Sequence, residues 1–278
     1  SCWRSATCTP WTRRRRGGRD RRAASVLLHV DETTTALLVE TASAAGLLAT
    51  GHAAEGEAAW LPTDELDRWS TRSPAERWWV LARAWWDSNR LPGLVGTRDP
   101  AGKTWNALAP ELSGVHQVET RQLTLRELAA LPPGQVLASG TGLPALVARV
   151  AWLRPRRPRT RADQVAWAVG EAEALGVGGL GGLASYARAL AGGDETAAGV
   201  AALDALVPAP VDHVLLQADL TAVAPGPLES TLAKRLQLLA DVESRGGATV
   251  YRFTSPSGRR ALDTGWSALE VHDFISSV

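Results

Sequence analysis

The chain has 278 residues, of which 45% are hydrophobic, and a formal net charge of +1 at pH 7. This length is enough for a sizeable core or for two to three small domains, and the near-zero charge excludes a protein that is basic over its whole surface. No apolar run is long enough to span a membrane, so we expect no membrane contact. Residues 23–278 contain no cysteine, which excludes disulfides and cysteine-based zinc sites there and indicates a reducing, cytoplasmic environment.

Residues 1–25 form a basic leader that we predict to be disordered. Residues 1–22 hold eight arginines and one aspartate, a net charge of +7, which leaves −6 for residues 23–278. Both cysteines, Cys2 and Cys8, lie in this leader. An alternative function for the leader is a basic arm that contacts nucleic acid. The sequence has no methionine, so we expect either a segment of a longer protein or a misplaced start.

Residues 26–110 are predicted to form a winged-helix-like unit. Asp31 can cap a helix over residues 32–48. Two short apolar pieces around a glycine-containing turn predict a hairpin over residues 47–63. A helix followed by a hairpin is the order found at the end of a winged helix. Residues 91–110 are rich in proline and glycine and indicate a hinge before the next unit.

A second helix of this unit begins with a clear capping signal. Ser73 and Glu76 form a capping box, and Pro74 occupies the first helical position. The helix that follows carries four tryptophans within nine residues. These rings favour core and interdomain packing, and the alternative is stacking on nucleic-acid bases.

Residues 111–205 are predicted to form a second helical, winged-helix-like unit. Its first helix is expected to begin at Thr124, which can form a capping box with Glu127. The further predicted elements are helices over residues 144–153, 161–175 (capped by Thr160) and 195–206, with a wing over residues 177–190.

Residues 206–278 have the clearest pattern of strands and helices in the chain. The predicted elements are a strand buried on both faces at residues 214–216, a helix that begins at Pro227 or Leu228 and ends at Gly246 and Gly247, a strand at residues 249–253, a short helix near residues 258–263 and a last helix capped by Ser267. An apolar stripe on the last helix stops at Val278, which again suggests a longer parent protein.

This region also carries a resemblance. The segments VDHVLLQADLTAVAPGPLE (residues 211–229), LLADVESRGGATVYRFT (238–254) and RRALDTGWS (259–267) resemble the helicase-associated domain of actinobacterial proteins. That domain is related to the N-terminal region of XPB-type DNA helicases. The resemblance implies a small α+β domain and work around DNA. The whole chain is therefore predicted to be α+β and mostly helical, with tandem winged-helix-like units followed by this domain.

Two glycine-rich segments are similar to nucleotide-binding motifs, but neither has the required context. GTRDPAGKT (residues 96–104) has five residues between the first glycine and the Gly-Lys pair, where a phosphate-binding loop has four. GVGGLG (176–181) follows a predicted helix, whereas the dinucleotide fingerprint follows a strand. The five histidines show no metal-ligand spacing, and Asp219 is interpreted as a turn residue. We therefore predict no catalytic residue, cofactor or metal.

Arginine clusters are the candidate DNA-binding residues. Five guanidinium groups lie close together in RPRRPRTR between two predicted helices, where they can contact successive phosphates; a solvated connecting loop is the equally weighted alternative. A weaker group surrounds the last domain. The candidates are Arg154, Arg156, Arg157, Arg159 and Arg161 in the first group, and Arg245, Arg252, Arg259 and Arg260 in the second.

Three functional hypotheses follow from these patterns. The first is a helicase-associated DNA-binding or regulatory region without a catalytic site of its own. The second is a protein-interaction scaffold that docks a helicase or another DNA-processing or transcription-regulating protein. The third is a full ATPase, which the phosphate-binding motifs do not favour.

Overall fold

The structure, a computed structural model, describes residues 11–12, 17–52, 58–132, 134–158, 160–193 and 196–278. Over these residues the protein is α+β and mostly helical, with twelve α-helices and small antiparallel sheets. The chain divides into two compact units, Thr9–Asp204 and Ala205–Val278. None of the described helices is both long and apolar enough to cross a bilayer.

The first unit is built mainly from helices and carries two small sheets. Its described elements are β1 (Trp11–Thr12), α1 (Gly17–Leu28), α2 (Glu32–Ala44), β2 (Leu48–His52), β3 (Ala58–Pro62), α3 (Asp64–Ser70), α4 (Pro74–Asp87), a short 3-10 helix (Pro92–Leu94), α5 (Gln117–Ala129), α6 (Gly142–Leu153), α7 (Arg161–Ala174), β4 (Gly178–Gly179), β5 (Gly182–Leu183), α8 (Arg188–Gly192) and α9 (Thr196–Asp204). Strand β3 pairs antiparallel with β1 and β2, and β4 pairs with β5. The pairing of β2 with β3 confirms the two strands of the hairpin predicted over residues 47–63, of which residues 53–57 lie outside the described ones.

Helix α4 supplies the largest side chains of the first core. It begins with the predicted capping box, in which Ser73 Oγ accepts from the Glu76 amide and the Glu76 side chain accepts from the Ser73 amide. Trp79, Trp85 and Trp86 are buried and belong to a cluster with apolar side chains of α2, α5, α6 and α7. Core packing is therefore confirmed for these tryptophans, and the core joins elements from both sides of the boundary predicted at residue 110.

Helix α5 differs from its prediction. It begins at Gln117 and not at Thr124. Thr124 is buried within the helix, and its hydroxyl donates to the Thr120 carbonyl at 2.7 Å. The predicted capping box is wrong because α5 already includes the residues before Thr124, so this position is not a helix start. The hydroxyl of Thr124 is satisfied by a carbonyl of the preceding turn instead. Helix α7 begins at Arg161 as predicted, but the Thr160 side chain makes no capping hydrogen bond.

Residues 17–25, which were predicted to be part of a disordered leader, belong to helix α1. Arg21 Nε and Nη2 donate to Glu32 Oε2 at 2.9 and 2.6 Å, and Arg22 Nε donates to Glu32 Oε1 at 3.3 Å. These ion pairs join α1 to the start of α2, so part of the leader's positive charge is compensated. Cys2 and Cys8 lie outside the described residues.

The second unit is a four-stranded antiparallel sheet with three helices. Its elements are β6 (Leu215–Gln217), β7 (Thr221–Ala224), α10 (Ser230–Leu239), β8 (Ala240–Arg245), β9 (Thr249–Phe253), α11 (Ser255–Asp263) and α12 (Ala268–Ser276). The strands lie in the order β6-β7-β9-β8. Leu232, Leu236 and Leu239 of α10 form its core with Tyr251 and Phe274.

Two predictions for this unit are wrong. The strand expected to be buried on both faces is β6, which lies at an edge of the sheet, and its Leu215 and Leu216 are 56% and 43% exposed. The helix expected to continue to Gly246 and Gly247 ends at Leu239. Strand β8 follows immediately because residues 240–245 pair with β9, which satisfies their backbone groups in a ladder.

Hydrogen bonds explain where α10 and α12 begin. Helix α10 begins at Ser230, later than predicted, because the Val211 amide donates to the Pro227 carbonyl at 2.7 Å and the Glu229 amide donates to the Val211 carbonyl at 2.9 Å. These bonds hold residues 227–229 extended. The capping box predicted for the last helix at Ser267 is confirmed.

Candidate nucleic-acid interface

The arginine loop, residues 154–160, connects α6 to α7 as predicted. Its two prolines lack an amide hydrogen, so neither helix can continue through it. The Arg157 amide donates to the Arg154 carbonyl at 3.2 Å, and the loop therefore contains a turn instead of running extended throughout. Arg159 lies outside the described residues.

Glu119, in the first turn of α5, pairs with two arginines of this loop. Arg154 Nε donates to Glu119 Oε1 at 2.8 Å, and Arg157 Nη2 donates to Glu119 Oε2. Arg157 Nη1 also lies 3.0 Å from Nε2 of His116. The hydrogen bond from Arg154, and after it the one from Arg157, holds the pKa of the Glu119 carboxyl below its ordinary value. Two guanidinium groups thus share one carboxylate, which leaves positive charge in excess.

Arg156 and Arg161 differ in burial. Arg156 is exposed, and among the described residues it has no ion-pair partner. Arg161 is only 6% exposed, and its Nη1 donates to the Val150 carbonyl at 3.2 Å. Burial, followed by the charge of Arg157, lowers the pKa of Arg161. Arg161 is therefore held in the protein at the start of α7 and does not share the exposed surface of Arg156.

Trp152 is a candidate that the sequence analysis missed. It is the second-last residue of α6, which ends where the arginine loop begins, and it is 71% exposed. The Arg149 guanidinium lies 5.0 Å from the centroid of its ring, at cation–π distance. The buried residues Leu146 and Val150 are spaced by four and mark the core-facing side of α6. That spacing places Trp152 off the buried face, and it was the signal that could have found this ring.

The second group of arginines carries less unbalanced charge. Arg252 and Arg260 each pair with a different carboxylate of β8, at 2.7 and 2.9 Å. The hydrogen bond that Arg252 donates to the Glu243 carboxylate raises the pKa of Arg252. Arg259 is exposed, and the side chain of Arg245 lies outside the described part of the structure.

The two glycine-rich segments adopt tight turns. In residues 96–104, Arg98 and Thr104 form an isolated antiparallel β-bridge, and Asp99 Oδ1 accepts from the Lys103 amide at 2.7 Å. A phosphate-binding loop would instead begin a helix at the Lys-Thr pair. Residues 176–181 lead from α7 into the short hairpin of β4 and β5, whereas the dinucleotide fingerprint leads into a helix.

Asp219 has the turn role predicted for it. Its Oδ1 accepts from the Thr221 amide at 3.2 Å and from the Thr221 hydroxyl at 2.6 Å. The hydroxyl bond is the main reason that the pKa of Asp219 lies below its ordinary value. Within the described ranges, no three His, Cys, Asp or Glu side chains are grouped so that they could hold a metal ion.

Comparison with known protein families gives a match over most of the second unit. Residues 214–278 match the family described as the helicase conserved C-terminal domain. The matched segment contains the whole β6-β7-β9-β8 sheet with α10, α11 and α12. A comparison with curated proteins yields no match for the chain. Residues 214–278 therefore form a helicase-associated domain.

Proposed function

We propose that the chain is a helicase-associated DNA-binding or regulatory region without a catalytic site of its own. Its DNA contact is the Trp–Arg surface, which consists of Trp152, Arg154, Arg156 and Arg157. The observation that supports it most is excess positive charge beside an exposed aromatic ring. Two of the three guanidinium groups share one carboxylate, and the ring of Trp152 is 71% exposed.

Both kinds of side chain suit a nucleic-acid strand. Guanidinium groups replace the counterions of successive phosphates, and the release of those ions favours binding. An exposed indole ring can stack on an unpaired base, which is worth about 1–3 kcal/mol per base. The bonds to Glu119 are no obstacle, because an exposed ion pair contributes only about 0–1 kcal/mol. Since a stacked base must be unpaired, we expect single-stranded DNA to bind more tightly than duplex.

The finer family assignment belongs to the same proposal. Helix α2 followed by the β2–β3 hairpin has the order of a winged helix, which supports winged-helix-like elements in the first unit. The segments of residues 211–229 and 238–254 resemble the XPB N-terminal domain of actinobacterial helicase-associated proteins. We place the protein in the cytoplasm because residues 23–278 contain no cysteine.

The test is a salt titration of DNA affinity by fluorescence anisotropy. Replacing Arg154, Arg156, Arg157 and Arg159 together by Ala should weaken binding and reduce the dependence of log K on log salt by about 0.7 for each phosphate that the variant no longer neutralises. Trp152→Ala should weaken binding of single strands without changing the salt dependence. If both variants bind as the unmodified chain does, the Trp–Arg surface does not contact DNA.

A matched control exists in α3 and the turn after it. Glu65 pairs with Arg68 at 3.1 Å and with Arg72 at 3.3 Å, so it shares two guanidinium groups as Glu119 does. Glu119→Gln should release two guanidinium groups and tighten DNA binding, with a steeper salt dependence. Glu65→Gln changes the net charge equally and should leave affinity nearly unchanged. Equal tightening in both variants would indicate a general charge effect.

A protein-docking scaffold is the second candidate, and one observation favours it. Leu215 and Leu216 are exposed on the edge strand of the helicase-associated unit, where backbone groups are open to pairing with another chain. Direct binding of a purified DNA helicase that is abolished by Leu216→Arg, with no retention of DNA, would support docking over DNA binding.

A further inference from the structure

A small pocket lies where α5 and α7 begin. Its volume is about 80 Å³, which exceeds the roughly 15 Å³ that a single water needs. Val115 and His116 precede α5, and Thr120 lies in its first turns. The polar residues of the lining are His116, Thr120, Arg157, Thr160, Arg161 and Gln164.

Both helices begin without a side-chain cap. The N-cap residues, His116 for α5 and Thr160 for α7, make no side-chain hydrogen bond to the first helical amides. The first amide of each helix donates to a preceding carbonyl, Gln117 to Gly114 at 3.1 Å and Arg161 to Pro158 at 3.2 Å. The helices therefore contribute the partial positive charge of their N-terminal ends, which favours an anion. The helices have 13 and 14 residues, so the aligned peptide dipoles of several turns contribute at this end.

Arg161 provides independent evidence for a ligand. Its Nη1 is occupied by the Val150 carbonyl, but its Nη2 is buried and has no hydrogen-bond partner among the described residues. The residue is 6% exposed and lines the pocket. A buried charged group without its hydrogen bonds is costly. Because Arg161 lines the pocket, a rotation of its guanidinium group toward an acceptor bound there would supply the missing partner.

The charges around the pocket also favour an anion. Arg154, Arg157 and Arg161 bring three guanidinium groups, and the nearby carboxylates are Glu119 and the exposed Asp163 in the first turn of α7. His116 adds a ring nitrogen 3.0 Å from Arg157 Nη1. Glu119 is hydrogen-bonded by Arg154 and Arg157 and its charge also acts on Arg161, so three guanidinium groups share this carboxylate and positive charge stays in excess.

We propose that this pocket binds a phosphate group, held by the guanidinium groups of Arg161 and Arg157 and by His116. The phosphate can be a free ion or part of a nucleic-acid backbone, because both present the same tetrahedral oxyanion. The pocket does not require DNA binding by the Trp–Arg surface. It gives the buried Arg161, which that surface does not use, a binding role.

The sharpest test is Gln164→Glu. The change is nearly isosteric, keeps the acceptor for the Thr120 hydroxyl at 3.4 Å, and places a carboxylate in the lining where it can pair with Arg161. Inorganic phosphate is titrated calorimetrically into the whole chain, and chloride keeps the ionic strength constant. We expect phosphate to bind the unmodified chain and to bind Gln164→Glu at least about tenfold more weakly.

Two further variants complete the design. Thr160→Glu adds a carboxylate at an exposed lining position and should cause a similar loss of phosphate affinity. Gln135→Glu makes the same chemical change at an exposed residue outside the lining and should keep the affinity within about twofold. Phosphate binding that is absent in the unmodified chain, or equal in Gln164→Glu and Gln135→Glu, would overturn the proposal.

Competition then identifies the source of the phosphate. If inorganic phosphate displaces single-stranded DNA from the unmodified chain but not from Gln164→Glu, the pocket holds a backbone phosphate. If phosphate and DNA bind independently, or if the chain binds phosphate and no DNA, the pocket holds the free ion. The last result would reject the proposed DNA-binding function while supporting the pocket.

Discussion

The buried Arg121 should be essential for the stability of the first unit. It lies on α5 with none of its surface exposed, and its Nη1 donates to the carbonyls of Trp85, at 2.7 Å, and Ser88. Its Nη2 donates to the Arg90 carbonyl at 3.3 Å and lies 3.4 Å from Glu171 Oε2. The guanidinium group therefore satisfies carbonyls at and just beyond the end of α4, where a positive charge also suits the helix dipole.

Arg121→Met removes these donors while it keeps much of the side-chain volume. Three carbonyls lose a partner, although the Trp85 carbonyl still accepts from the Ser88 amide at 3.1 Å. Each buried group left unsatisfied costs about 1–3 kcal/mol. Glu171 loses its charge partner, and breaking a buried ion pair from one side costs about 3–5 kcal/mol. Since these contributions overlap, we expect the free energy of unfolding to fall by about 4 kcal/mol, a large part of the 5–15 kcal/mol typical of a native protein.

The loss should depend on pH in a defined direction. Burial raises the pKa of Glu171, and Arg121 opposes that rise. Without Arg121 the folded-state pKa of Glu171 should rise further. A carboxyl with a raised folded pKa contributes stability below its unfolded pKa, about 4.3, and loses that contribution as pH rises through the folded value. The cost of Arg121→Met should thus be smallest near pH 4 and grow toward neutral pH.

Urea unfolding followed by tryptophan fluorescence measures this loss. Ten of the twelve tryptophans lie within Thr9–Asp204, so the signal reports mainly on the first unit. Arg126→Met is the matched control, because Arg126 lies on the same helix and is exposed; its effect should stay within about 0.5 kcal/mol. If Arg121→Met unfolds like this control, Arg121 does not hold the end of α4.

The same assay tests two other contacts. Glu40 is 2% exposed and accepts from Arg90 Nε and Nη2 at 2.7 and 3.1 Å. Glu40→Ala should therefore lower the free energy of unfolding by about 3 kcal/mol. An effect within about 0.5 kcal/mol, the typical limit for a surface change, would contradict a structural role. A methyl group at Gly199 would lie 2.1 Å from the Trp79 ring, so Gly199→Ala should destabilise by about 1–3 kcal/mol. Gly170 lies in α7 with open space around it, so Gly170→Ala should stabilise by up to about 1 kcal/mol; equal effects at both glycines would refute the close packing of α9 on α4.

Local signals predicted the features that depend on residues close in sequence. The caps at Ser73 and Ser267 are present because a capping box involves residues three apart. The same pattern failed at Thr124, where it lies inside α5. A Thr-x-x-Glu pattern has no information on whether helical residues precede it, and here the preceding turn is fixed by burial of Gln117 and Arg121.

Sheet architecture was less accessible to sequence reasoning. The apolar run at residues 214–216 fits a central strand, but the strand order places β6 at an edge. Residues 240–245 come directly after a segment with a strongly helical pattern, but they form β8 because they pair with β9. Which strand is central depends on long-range pairing, and an apolar run alone does not encode it.

The arginine loop shows why charge density in sequence overstates a binding surface. Arg154, Arg156, Arg157 and Arg161 are equivalent in the sequence, but the fold separates them through Glu119, which is 35 and 38 positions from its two partners, and through burial of the start of α7. Arg161 is therefore buried and has one nitrogen without a hydrogen-bond partner among the described residues. Of these arginines it is the least accessible to a DNA strand on the outer surface, but its position suits the binding of a single phosphate. Burial set by the partner helices, and not the number of arginines, thus decides which anion each guanidinium group can bind.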